Sequence, residues 1–268
     1  MKTFSTFVEI IILDMLIDTH SHIYSEDFVN DIDEVIQRGY DNDIKKIILP
    51  NIDSGSVKRL FDLSEAYPHL CFPLLGLHPT SVSEDYKEEL QAVEYWMDKR
   101  KIYGIGEIGI DLYWDRTYLK QQEDVFRYQV KLAKSKQLPI VIHVRNSFNE
   151  VFKIVEEEQD GTLKGIFHCF SGTEEEAQKI TGIGFMLGVG GVITFKNSNL
   201  TEVLKSVSVQ NIVLETDAPY LAPVPKRGRR NETAYLVYVA QKVAETYGIT
   251  VEQVAEITTS NARSLFKI

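Results

Sequence analysis

The sequence predicts a single (β/α)8 barrel, the TIM-barrel architecture of the α/β class. Eight short β-rich runs alternate with longer stretches of helical periodicity. No Gly/Ser/Pro-rich linker or low-complexity segment interrupts them, and 268 residues is close to the usual size of that fold. The competing architecture, an open doubly wound sheet, calls for a Gly-x-Gly-x-x-Gly turn after its first strand, and the sequence has none there. The barrel is expected over residues 15–268. Met15 opens MLIDTHSH, so residues 1–14 read as an N-terminal extension ahead of it.

In chain order the strands are expected at Leu16–Thr19, Lys46–Pro50, Leu70–Leu77, Gly104–Ile110, Ile140–Val144, Gly165–Phe170, Gly184–Val189 and Ile212–Thr216. Between them, SEDYKEELQAVEYWMDKR and YLKQQEDVFRYQVKLAKSKQ repeat apolar residues at three- and four-residue spacing, the period of an amphipathic helix. Ser83 with Glu84 and Asp85 makes an acidic helix start, and Pro139 closes a helical pattern before the fifth strand.

Composition removes several classes. At 44% hydrophobic and 25% charged residues the chain has a full core's worth of apolar side chains, which excludes a disordered or collagen-like protein. Two cysteines, Cys71 and Cys169, make no disulfide framework and suit a reducing cytoplasm. Glu9 and Asp14 break the N-terminal apolar stretch, so it does not read as a signal peptide, and no apolar run is long enough for a membrane span. No obligate protein partner is evident. The net charge of −10, from 29 basic and 39 acidic residues, argues against a generic nucleic-acid coat. It leaves open a local phosphate site.

Six histidines occur, and five of them (His20, His22, His78, His143 and His168) fall at or just beyond the C-terminal end of an expected strand. A barrel gathers those ends on one face, so residues far apart in sequence converge there. The sixth, His69, precedes the third strand and belongs to the opposite rim. His20 and His22, two apart on an extended chain, point to one side. Glu107 in YGIGEIGID brings a carboxylate to the same mouth, and IVLETDAP delivers Glu215 and Asp217 to one side of the eighth strand. Singly, each is as well explained by a core histidine or a paired carboxylate. Together, imidazoles and carboxylates on one face suit divalent metals, and six ligands exceed one tetrahedral site. Two ions sharing a carboxylate is the economical reading.

The motifs DTHSH, GLHP, GEIGID, IHVR, FHCFSG and ETDAPYL, in this order, closely resemble the TatD-like metal-dependent deoxyribonucleases of the amidohydrolase superfamily. The resemblance runs from about Met15 to Phe266 and includes Gln122, Phe126 and Gln129. It implies that His20, His22 and Asp217 hold one metal, that Glu107 bridges, and that His143 and His168 complete the second. His78 corresponds to a site histidine facing the substrate. The cofactors implied are two divalent ions, magnesium, manganese or zinc.

Coordination lowers the pKa of a water from about 15.7 toward about 7, so a metal-activated water is the expected nucleophile. Asp217 is the expected proton acceptor, with Glu107 as its rival. The stretch PVPKRGRRNE crowds Lys226, Arg227, Arg229 and Arg230 into the loop after the eighth strand, where barrels often bind phosphate; Arg145 and Tyr220 lie near the same mouth. Tyr24, Tyr113, Trp114 and Tyr220 suit either base stacking or loop packing. Cys169, next to His168, is expected to point away from the interior as a buried structural thiol. The resemblance implies a nuclease acting on DNA single strands or ends, 3′ to 5′. An esterase or deacylase using the same metals, for example on D-aminoacyl-tRNA, is the alternative, and a non-enzymatic metal-binding barrel is the third.

Overall fold

The computed structural model describes residues 16–268, so the expected extension at 1–14 lies outside the described residues. Eight strands alternate with helices: β1 Leu16–Asp18, β2 Ile44–Leu49, β3 Cys71–Pro73, β4 Ile105–Asp111, β5 Ile140–Arg145, β6 Gly165–Phe167, β7 Met186–Val189 and β8 Ile212–Leu214. The helices are α1 Ile32–Asp41, α2 Val57–Ala66, α3 Tyr86–Met97, α4 Leu119–Lys136, α5 Phe148–Glu158, α6 Glu174–Gly182, α7 Leu200–Leu204, α8 Leu236–Tyr247 and α9 Val251–Phe266. No described helix is long and apolar enough to cross a membrane.

Neighbouring strands pair in parallel as a three-stranded sheet, β1–β3, and a five-stranded sheet, β4–β8. Two parallel bridges, Leu75 with Ile105 and Ser21 with Ala218, join the sheets into a closed barrel. Inside its lower half Ile17, Ile48, Phe72, Val141, Ile166 and Val213 pack together, and Ala262 and Phe266 of α9 cover that end. Each such buried side chain contributes about 1.5–3 kcal/mol. The floor of the barrel interior is therefore apolar.

Two strands end earlier than their apolar runs. The third run extends to Leu77, but β3 itself covers only Cys71–Pro73; beyond it Leu74 N donates to Leu49 O (2.8 Å) and Leu75 bridges to Ile105. The sixth run extends to Phe170, but β6 stops at Phe167 because Cys169 takes a left-handed φ of 48°. Of the long helices, α3 starts after the acidic turn at Ser83–Asp85, and α4 ends in a left-handed Gln137 just before Pro139. On α4, Gln122 hydrogen-bonds the backbone of Asp111 (2.9 and 3.3 Å) and Gln129 that of Leu77 (2.7 and 3.2 Å). These two amides satisfy main-chain groups where the strands give way to loops, and so fix the approach to the mouth.

The seam between first and last strands is polar and buried. Asp18 accepts from Thr216 N (2.9 Å), Thr216 Oγ1 (2.6 Å) and Thr233 Oγ1 (2.7 Å). Thr19 N and Oγ1 both donate to Leu214 O, at 2.9 and 3.0 Å. Asp18→Ala would strand these donors in a site with no solvent access, so we expect it to lower stability by about 2–4 kcal/mol. Denaturant unfolding of chelated protein measures this; an unchanged midpoint would show that the seam relaxes at no cost.

Candidate active site

Main-chain bonds across the seam place the first group of side chains. Asp217 N donates to His20 O (2.9 Å) and His22 N to Ala218 O (2.7 Å), which seats His20 and His22 beside Asp217. His20 Nε2 and His22 Nε2 are 3.1 Å apart and lie 3.8 and 3.7 Å from Asp217 Oδ1. Glu107 stands at the centre. Its Oε2 is 3.1 Å from His20 Nε2 and 3.4 Å from His22 Nε2; its Oε1 is 2.8 Å from His143 Nδ1, 3.3 Å from His78 Nε2 and 3.4 Å from His168 Nε2. All five histidines expected at the mouth therefore reach one carboxylate. His69 is exposed in the turn before β3, away from them.

Outer partners decide which ring nitrogen faces inward. Tyr24 Oη donates to Pro50 O (2.6 Å), so it accepts from His22 Nδ1 (3.1 Å) and leaves the His22 Nε2 lone pair toward the centre. Asp111 Oδ2 accepts from His143 Nε2 (2.9 Å), which turns the Nδ1 lone pair inward. Glu215 Oε1 accepts from His168 Nδ1 (2.9 Å) and Cys169 N (2.6 Å), leaving His168 Nε2 inward. His78 is the reverse case. Its Nδ1 accepts from Thr80 N (3.2 Å), so its neutral ring carries the proton on Nε2 and donates toward Glu107. It stands in the site as a hydrogen-bond donor, where His22, His143 and His168 present lone pairs.

Asp111 had no assigned role from sequence, Tyr24 was read only as a ring for base stacking or loop packing, and Glu215 was only placed on the strand face. Asp111 had a local signal, since in GEIGID it sits four residues after Glu107 on the same strand face. Glu215 fits because Gly188 faces it: a Cβ there would lie 2.3 Å from Glu215 Oε2. Cys169 corrects an expectation. Strand alternation sends it away from the interior, but its left-handed backbone turns it back, and its sulfur groups with donor atoms of His168 and Asp217 within 4.8 Å.

The electrostatics call for cations. Burial alone would raise the Glu107 carboxyl, yet His78, His20 and His168 hold it well below the ordinary range. Burial pulls His168 down, but Glu215 and Glu107 outweigh it and push the imidazole up to about 10. Burial raises Asp217 to about 6 against the pull of His168 and His22. Without a metal, protonated imidazoles must supply the charge that three clustered carboxylates demand. Two donor groups fit ions instead: His20 with His22 and Asp217, and Glu107 with His143, with His168 Nε2 reaching the same Glu107 oxygen; His78 lies against the second group with its Nε2 proton turned toward Glu107. Together they make a binuclear divalent-metal site with Glu107 between its halves.

The family model described as TatD related DNase matches residues 17–267. The chain belongs to the TatD-related DNase family. The uncharacterized metal-dependent hydrolase YabD of Bacillus subtilis is 38% identical over 255 residues, covering 95% of this chain and all of that one. The 3′-5′ ssDNA/RNA exonuclease TatD of Citrobacter rodentium is 30% identical over 94% of this chain and 98% of its own length. Among solved structures, the TatD homolog YjjV of Escherichia coli K12 superposes with a TM-score of 0.89 at 27% identity, covering 96% of this chain and 100% of that one. The barrel with this donor set is thus a metal-dependent hydrolase of the TatD type.

Around the mouth, the basic loop after β8 divides. Arg230 donates to Asp31 (2.5 and 2.8 Å) and to Asp27 O (2.5 Å), fastening the loop to the segment before α1. Lys226 lies over the Tyr235 ring at 5.0 Å and Arg227 over Phe195 at 3.9 Å, while Arg229 is exposed. Tyr220 is exposed with its ring 6.3 Å from that of His22. Tyr24 is buried as the partner of His22, so it packs the site and has no free face. A cavity of about 420 Å³ opens beside His168 between the loops after β5 and β6, lined in part by Asn146, Asn149, Cys169 and Ser171.

Metal binding requires neutral imidazoles, so loading the site expels the proton that His168 holds when empty. Below a pKa of about 10 that proton is bound, so apparent affinity rises with pH through the neutral range. Calorimetry at pH 8 in buffers of different ionisation enthalpy should show about one proton released; no buffer dependence would refute the assignment. Asp111→Asn should weaken the second ion about 10–100-fold and spare the first.

Proposed function

We propose that this hydrolase is a nuclease that shortens single strands of DNA from an end, 3′ to 5′. The observation that carries the reading is a carboxylate base and a hydrogen-bond donor meeting at one Glu107-centred site. The Asp217 carboxylate, beside His20 and His22, would accept the proton of the attacking water. His78, holding its proton on Nε2, would donate a hydrogen bond to the oxygen on which charge develops, without giving the proton up. Glu107, kept ionised among five imidazoles, holds the two halves of the site together. Divalent ions bound there supply an acidified water and neutralise charge on the phosphoryl oxygens.

The rim supports a phosphate substrate. Arg145, Arg227 and Arg229 offer guanidinium groups at loops after β5 and β8, Tyr220 offers a ring beside His22, and Lys226 and Arg230 hold the β8 loop in place. A 30% identical relative that bears the name of a 3′-5′ ssDNA/RNA exonuclease supports the direction and the single strand. At a net charge of −10, DNA binding should be weak and should fall steeply with salt.

The test is hydrolysis of 5′-labelled single-stranded DNA by metal-stripped protein reloaded with magnesium, manganese or zinc. A ladder shortened from the 3′ end is expected, with kcat lowered about a hundredfold or more in Asp217→Asn. Intact DNA alongside amino acid released from D-aminoacyl-tRNA would keep the site and move the substrate to a carboxylic ester.

A further inference from the structure

The loop after β4 leaves two large aromatic side chains in solvent. Trp114 is 71% and Tyr113 54% exposed, and their rings meet edge to face at 4.9 Å. Rings of this size left uncovered at a site mouth mark a contact surface. The loop is anchored: Asp111 Oδ1 accepts from Tyr113 N (2.9 Å) and Trp114 N (3.4 Å), while Oδ2 holds His143 Nε2 (2.9 Å). One buried carboxylate thus fixes a site histidine and the aromatic pair together. Arg145, opposite Asp111 in the strand register, brings its guanidinium carbon 3.9 Å from the Tyr113 ring centre and 5.3 Å from that of Trp114. It makes no ion pair with a carboxylate among the described residues, so its charge remains available to an anion.

We propose that the exposed Trp114 ring, held edge to face by Tyr113, is a stacking platform for one unpaired nucleobase, with Arg145 taking the adjoining phosphate. The proposal rests on the nuclease reading and specifies how such a site selects its strand. A flat ring face with a guanidinium against it matches a ligand that alternates bases with phosphodiesters. A wholly apolar partner would desolvate Arg145 with nothing to pair it. In a duplex each base face is covered by its neighbours, so the platform admits a single strand or a frayed end. Because Asp111 joins the platform to His143, and His143 reaches Glu107, the stacked base sits at a set distance from the reacting phosphate. The platform therefore fixes which bond is presented.

The experiment uses manganese-loaded enzyme and single-stranded oligonucleotides, each with one abasic residue at a different distance from the 3′ end. In the wild type, one abasic position should raise KM roughly tenfold. In Trp114→Ala the intact strand should already show that rise, and the abasic position should add nothing; Trp114→Phe should restore most of the discrimination. In metal-free protein carrying Trp96→Phe, the intact strand should quench Trp114 fluorescence and the strand abasic at that position should not. Equal abasic penalties in wild type and Trp114→Ala, without quenching, would overturn the platform and leave the nuclease standing. Failure of the wild type to bind or cut any strand would overturn both.

Discussion

A single buried carboxylate, Glu107, organises the mouth of this barrel. It is 3% exposed, and five imidazoles lie within 3.4 Å of its two oxygens. An ionised carboxylate removed from water is costly unless charge and hydrogen bonds surround it. Those imidazoles come from the ends of β1, β3, β5 and β6, so no local segment of chain could supply them. The barrel floor beneath is filled by Ile17, Ile48, Val141, Ile166 and Val213, which keeps water from entering from below. The fold holds a charge-demanding centre over an apolar plug.

The inner atoms are only as well placed as the groups behind them. Tyr24, Asp111 and Glu215 each hold the outer nitrogen of one histidine and so settle which lone pair faces inward. Thr80 does the opposite for His78 and leaves it a donor. Chemically alike residues therefore hold different roles because of neighbours two or more atoms away, as is general in metal sites.

That layering also explains what the sequence made legible. The architecture was readable because apolar periodicity and the strand–helix alternation report burial directly. His20, His22, Glu107, His143, His168 and Asp217 were readable as a group because a closed barrel must bring strand ends together. Asp111 escaped because its partner, His143, lies on the next strand, so its place beside Glu107 in GEIGID shows the face but not the bond, and the Tyr24 ring did not reveal that its hydroxyl would hold His22. Cys169 was misplaced because alternation holds only while the backbone stays extended, and there it does not. The basic run at 226–230 shows the limit of counting charges: Arg230 is bound to Asp31, while Arg229 next to it is exposed.

The Asp18 seam has a bearing on how the protein is made. His20 and His22 leave the ribosome early, whereas Thr216, Asp217 and Thr233 follow about two hundred residues later. Until the eighth strand emerges, the first metal group lacks its carboxylate and the barrel has an open edge. A nascent or truncated chain without the eighth strand therefore lacks a complete donor set. Closure of the barrel and completion of the donor set are one event in the life of the chain.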